Sequence, residues 1–148
     1  MQLVDRDSGA TIAQYPSRGR RYSRGTPGAR YAIRLSNRGG ERVLVVLSVD
    51  GVNAITGDTA SWHQSGYVLS PGESFDITGW RKSDERIAAF EFTSLGDSYA
   101  ARTGRPANVG VIGAAVFREL PPPPVVYEAP MVSAAPPAPA APGIMTNR

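Results

Sequence analysis

Tyr31, Ile33 and Leu35 alternate with Ala32, Arg34 and Ser36, the period of two that marks a half-buried strand. Asn37-Arg38-Gly39-Gly40 interrupts the pattern as a turn. Arg42-Val43-Leu44-Val45-Val46-Leu47-Ser48-Val49 follows, β-branched and apolar on both faces, as in a strand covered on both sides. Asp50-Gly51 stops it. The runs 30–36 and 42–50 together predict a hairpin.

The same alternation recurs downstream. Gly66–Leu69 leads into Ser70-Pro71-Gly72-Glu73, with Pro and Gly in the places a tight turn favours. Ser74–Thr78 sets Phe75 and Ile77 against Asp76 and Thr78. Arg86–Thr93 places Ala88, Phe90 and Phe92 on one face; Ser83 resembles a helix start, but Phe90-Glu91-Phe92-Thr93 favours a strand. Val109–Phe117 is a second run apolar on both sides, with Gly110 and Gly113 permitting close backbone approach. Leu3-Val4 and Thr11–Tyr15 flank Asp7-Ser8-Gly9 as weaker strands. Seven or eight short strands with frequent turns predict an all-β fold, a single antiparallel β-sandwich of jelly-roll or immunoglobulin-like type over residues 1–120.

Residues 121–148 break with this pattern. They hold nine of the 13 prolines and six alanines. Proline fixes φ and lacks an N–H, so the segment is expected to be an extended tail rather than a helix or inner strand. In polyproline II geometry its 28 residues reach roughly 85 Å. Its sparse large apolar groups, Tyr127 and Met131 in particular, are candidate tail contacts. Arg118-Glu119-Leu120-Pro121-Pro122-Pro123-Pro124 also matches the R-x-x-P-x-x-P pattern of peptides read by Src-homology-3-type domains, a pattern frequent in any proline-rich tail.

Composition narrows the function. The 148 residues carry 41% hydrophobic residues, enough for one core, and no apolar run near 18 residues, so no transmembrane helix is expected. There is no cysteine, which removes disulfides and thiolate chemistry, and one histidine, which removes a multi-histidine metal site. No nucleophile elbow, phosphate loop or zinc-protease motif is present. His63 with Ser61 or Ser65 and Asp58 is the one imadazole-based arrangement to consider, and Asp76, Glu91 and Asp97 are the carboxylates to weigh for glycoside hydrolysis. A solvated loop and solvated strand faces account for both sets, and Asp5, Asp7 and Asp58 are too sparse for calcium. The expectation is a protein that is not an enzyme and has no cofactor or metal.

Recognition is expected on two loops. Residues 56–66 carry Trp62 and His63 among Ser, Thr and Gln; an exposed Trp stacks on a sugar or anchors a protein, and a buried one caps the core. Residues 95–108 form a long connection with Tyr99, Arg102 and Arg105, suited to an anion or acidic surface. Residues 17–40 hold seven arginines and no acid, interleaved with Tyr22 and Tyr31. Yet the net charge is only +3, and 15 of the 16 basic residues are Arg, a bias that reflects codon composition. Nucleic acid is therefore not the expected partner.

The blocks Ser48-Val49-Asp50-Gly51-Val52-Asn53, Ser65–Leu69, Gly79–Ser83, Asp97–Arg102 and Asn108–Gly113 resemble a family of uncharacterised proteobacterial β-sandwich proteins, over residues 2–118. The resemblance implies the sandwich and no established chemistry. Members of that family often carry an export signal, whereas Met1–Asp7 lacks the apolar stretch of one. These readings converge on a structural or interaction module of a larger assembly, a phage virion decoration or minor structural protein or a bacterial envelope component at the cell surface or in the periplasm. Its partners would be protein subunits, itself as a homo-oligomer included. The alternative is a carbohydrate- or ligand-binding module.

Overall fold

The computed structural model describes residues 1–94 and 106–131, with Asp97, Arg102, Gly104, Ser133, 135–140 and Gly143. Among them the chain forms twelve short strands and almost no helix. A six-stranded antiparallel sheet combines β1 (Gln2–Asp5), β2 (Thr11–Ile12), β5 (Arg30–Ser36), β9 (Ser74–Ile77), β10 (Gly79–Arg81) and β11 (Ile87–Glu91). A four-stranded sheet combines β6 (Val43–Val49), β7 (Val52–Asn53), β8 (Tyr67–Leu69) and β12 (Ile112–Arg118). The remaining pair, β3 (Gln14–Ser17) and β4 (Arg20–Ser23), is a separate ribbon turned by Arg18 and Gly19, both at positive φ (48° and 75°), the geometry that matches strand twist.

The two sheets pack face to face through the odd-numbered positions of their central strands. Tyr31, Ile33 and Leu35 of β5 meet Val45, Leu47 and Val49 of β6, with Leu3, Leu69, Ile77 and Phe90 completing the core. Phe90 and Ile33 are fully buried. Tyr31 stacks on Phe90 and Phe92 at 5.4 and 4.4 Å, and Trp80 meets Phe90 edge-on at 4.7 Å. Ile87–Glu91 is strand, with Phe90 buried in the core, while 83–86 form a bend closed by bonds between Ser83 and Arg86, so no helix starts at Ser83.

The runs 30–36 and 42–50 are both strands, but they do not form the expected hairpin. β5 pairs with β1, β9 and β11, and β6 pairs with β7, β8 and β12. The chain between them crosses from one sheet to the other because Asn37 is drawn inside. Its Nδ2 donates to the carbonyls of Glu41 (2.7 Å), Leu69 (3.2 Å) and Ser70 (3.1 Å), and its Oδ1 accepts from the Gly39 N–H (3.0 Å). A residue that reads as an ordinary turn former thus ties the end of β5 to the end of β8 in the opposite sheet.

Other turns follow the sequence closely. Glu73 N–H donates to Ser70 C=O at 3.0 Å with Gly72 at φ +74°, the turn expected of Ser-Pro-Gly-Glu. Asp50-Gly51 closes β6 onto β7 with both residues at positive φ. Asp5 Oδ1 accepts from the N–H groups of Asp7 (3.0 Å) and Ser8 (2.7 Å), so this carboxylate organises a turn. β12, apolar on both faces, is nevertheless an edge strand, and Val116 and Phe117 are 62% and 38% exposed.

On the outer face of the larger sheet, Arg34 makes a bidentate pair with Asp76 at 2.7 and 2.8 Å, across the register pair that joins β5 to β9. The guanidinium holds the Asp76 carboxyl below its ordinary value of 3.8. A carboxyl whose pKa is lowered by folding adds stability above its unfolded pKa and loses it as the pH falls through the folded value. Asp76→Asn is expected to flatten the loss of stability on acidification below about pH 4 without unfolding the domain at neutral pH, measured by urea unfolding across pH.

Candidate docking site

The segment between β7 and β8 is longer than the turn requires, and it is held by one buried side chain. Asn53 is fully buried at the end of β7. Its Oδ1 accepts from the N–H groups of Ile55 (2.8 Å) and Thr56 (3.0 Å). Its Nδ2 donates to Gln64 Oε1 (3.1 Å) and the Ser65 carbonyl (3.1 Å). One amide therefore clamps both ends of the segment. Gln64 extends the clamp: its Oε1 also accepts from Ser61 N–H (2.8 Å) and its Nε2 donates to the Thr59 carbonyl (2.9 Å). Backbone bonds from Asn53 N–H to Asp58 C=O (2.9 Å) and from Ala60 N–H to Gly51 C=O (2.9 Å) complete it. At the return, Gly66 lies so close to β6 that a Cβ there would sit 2.5 Å from the Val45 carbonyl oxygen.

Trp62 and His63 stand at the tip of this clamped segment. Trp62 is 71% exposed, so it does not cap the core. Its ring borders an open groove of about 320 Å³ whose floor is Val46, Ser48, Gly113 and Ala115 on β6 and β12, with Ala60 and Ser61 as the near wall. That covering explains why Val46, on the face of β6 turned away from the core, is still 95% buried (5% exposed). Val68 (55% exposed) and Phe117 also present apolar surface on the four-stranded sheet.

The remaining candidates are less concentrated. His63 is exposed, and no hydrogen bond joins it to Ser61, Ser65 or Asp58. Asp76 is committed to Arg34, and Glu91 is exposed at the end of β11. Arg102 is exposed, Tyr99 and Arg105 lie outside the described residues, and the connection ends in a short 3-10 turn at Pro106–Asn108. Tyr127 and Met131 are 88% and 97% exposed, in a tail whose described residues carry no regular secondary structure. The tail's base is fixed: Arg42 pairs with Glu119 through both guanidinium and carboxylate forks, and Glu119 N–H donates to the Arg42 carbonyl at 3.2 Å. The surface that sequence reasoning missed is the far side of β12, whose exposure depends on where that strand sits in its sheet.

The chain matches no protein-family model, no curated protein and no solved structure.

Removing the clamp tests this construction. Asn53→Ala leaves two carbonyl or amide acceptors and two backbone donors without their partner, and is expected to cost about 2–4 kcal/mol in urea unfolding. Trp62→Ala, at an exposed tip, is expected to change stability by less than about 0.5 kcal/mol.

Proposed function

We propose that this protein is a non-catalytic structural module of a larger protein assembly, docking through the Trp62 face of the sandwich and through its extended tail. The observation that carries the reading is Trp62, held 71% exposed on a segment fixed by Asn53 and Gln64, beside an apolar groove. A large aromatic with few rotatable bonds, carried on a backbone that is already fixed, loses little conformational entropy on burial against a partner, which is the property of an interface anchor. Tail residues Val125, Val126, Tyr127 and Met131 add exposed apolar surface beyond the domain, on a chain pre-extended by proline. A virion decoration or minor structural protein, or an envelope component, is the kind of assembly this combination suits. The resemblance to proteobacterial β-sandwich proteins is part of the same proposal.

The test is co-purification with the native particle or envelope fraction. Deleting residues 121–148 is expected to leave the melting temperature within a few degrees and to abolish incorporation. Trp62→Ala is expected to weaken incorporation at least about tenfold with the fold intact. A truncated chain that co-purifies undiminished would refute the tail's role, and an undiminished Trp62→Ala would refute the anchor.

A second reading rests on the same ring. A flat exposed indole beside Ser48 and Ser61 suits stacking on a sugar ring with hydroxyl contacts alongside. A glycan array decides it: binding by the wild type that disappears in Trp62→Ala supports carbohydrate recognition, whereas binding by neither or equally by both removes it.

A further inference from the structure

Most strands at the margins of the two sheets are short. β2 and β7 have two residues each, β8 and β10 three. Short edges offer few unpaired backbone groups, one of the ways proteins avoid joining sheets. β12 differs. It has seven residues, pairs along its whole length with β6, and among the described residues has no strand on its other side. Apart from the terminal Arg118, its sequence Ile112-Gly113-Ala114-Ala115-Val116-Phe117 contains no charge and no proline.

The ladder shows which groups lie free. Glu119 N–H donates to Arg42 C=O, and Asp50 N–H donates to Val111 C=O. Both β12-side positions are odd, and in an antiparallel pair successive residues turn their N–H and C=O groups alternately toward and away from the partner. The N–H and C=O groups of Ile112, Ala114, Val116 and Arg118 therefore point away from β6, along the open edge.

We infer that β12 pairs antiparallel with β12 of a second copy about a two-fold axis, joining the two four-stranded sheets into one. The register that uses all seven residues sets Ala114 against Val116 and Ile112 against Arg118 as hydrogen-bonded pairs, with Ala115 on the axis facing its own counterpart. It places Phe117 across from Gly113, where the ring covers the bare backbone of the glycine, an arrangement that stabilises edge glycines. Large residues meet small ones at the positions flanking the axis, and no two like charges face each other. A two-fold interface must be self-complementary, and this strand is so under its own reversal. The inference goes beyond the assembly role proposed for Trp62 and the tail, because it names the second copy and rests on edge backbone groups that neither of those uses.

The register yields a specific test. Ala115 faces its counterpart as a non-hydrogen-bonded pair, with Cα atoms about 4.5 Å apart, within the span of about 4.4–6.8 Å that a disulfide bridges. The chain has no cysteine of its own, so Ala115→Cys introduces a single thiol. Analytical ultracentrifugation of the full chain is expected to show a concentration-dependent dimer. Ala115→Cys is expected to oxidise to a covalent dimer at least tenfold faster than Asp84→Cys, an exposed loop control. Val116→Pro removes an N–H that points away from β6, so it is expected to abolish the dimer and retain the strand content seen by circular dichroism. A wild-type chain that stays monomeric, Ala115→Cys that links no faster than the control, or a folded Val116→Pro that still dimerises would each overturn the inference. Loss of assembly incorporation in the tail deletion with dimerisation intact separates this outcome from that of the docking role.

Discussion

Six residues, Asn37 to Arg42, carry the chain from the centre of one sheet to the centre of the other, and the sandwich depends on that crossing. β5 and β6 supply the facing rows of the core, so they cannot lie side by side in one sheet. A chain that leaves a central strand gives up its ladder partners, and the backbone groups it strands near the core need replacements. The Asn37 amide supplies them. Its two donors and its acceptor serve backbone groups on the crossing itself and on the end of β8, which binds the two sheets where the chain changes level. Asn53 does the corresponding work at the end of β7, and the Arg81 N–H bond to the neighbouring Ala54 carbonyl (2.8 Å) links β10 of the larger sheet to that point.

The same device produces the most distinctive surface feature. Because Asn53 and Gln64 satisfy the backbone of the segment from inside, the tip has no need to fold its Trp inward. Trp62 is left in solvent by a loop whose shape is set independently of it, so this ring can be buried by a partner at small conformational cost. The groove beneath it owes its apolar floor to Val46 and to the small residues Gly113 and Ala115, which leave room that larger side chains would fill.

β12 contributes to both surfaces. Its inward bonds complete the four-stranded sheet and its Gly and Ala residues shape the groove, while its outer side remains an apolar edge from which the tail departs. The Arg42–Glu119 pair and the Glu119 backbone bond end the ladder there, so the proline-rich segment leaves from a defined point on the sheet. The Glu119 carboxyl is held below its ordinary range by the hydrogen bond from Arg42, and both groups stand in solvent, so the pair positions the exit more than it stabilises the fold.

Local pattern alone determined the longer strands and most turns, whereas the short strands β4, β7 and β10 carry no alternation that marks them. Period-two alternation at 31–35 and 74–78, the two-sided run at 43–49, and Ser70-Pro71-Gly72-Glu73 and Asp50-Gly51 are properties of neighbouring residues, set by side-chain direction and allowed φ, and they were legible without the fold. Trp62 and His63 stood out as candidates for the same reason: a Trp among small polar residues needs a special environment wherever it lies. Whether that Trp faced the core or the solvent was not legible, because the answer rests on Asn53 reaching Gln64 and Ser65 across the loop. Strand partners were not legible either. The hairpin expected of 30–36 and 42–50 is the natural reading of two strands and a short turn, and it fails because the burial of one asparagine sends the second strand to the opposite sheet. The exposed edge of β12 has the same origin: an apolar run describes what a strand can bury, and only its place at the end of the sheet order decides that one side stays open.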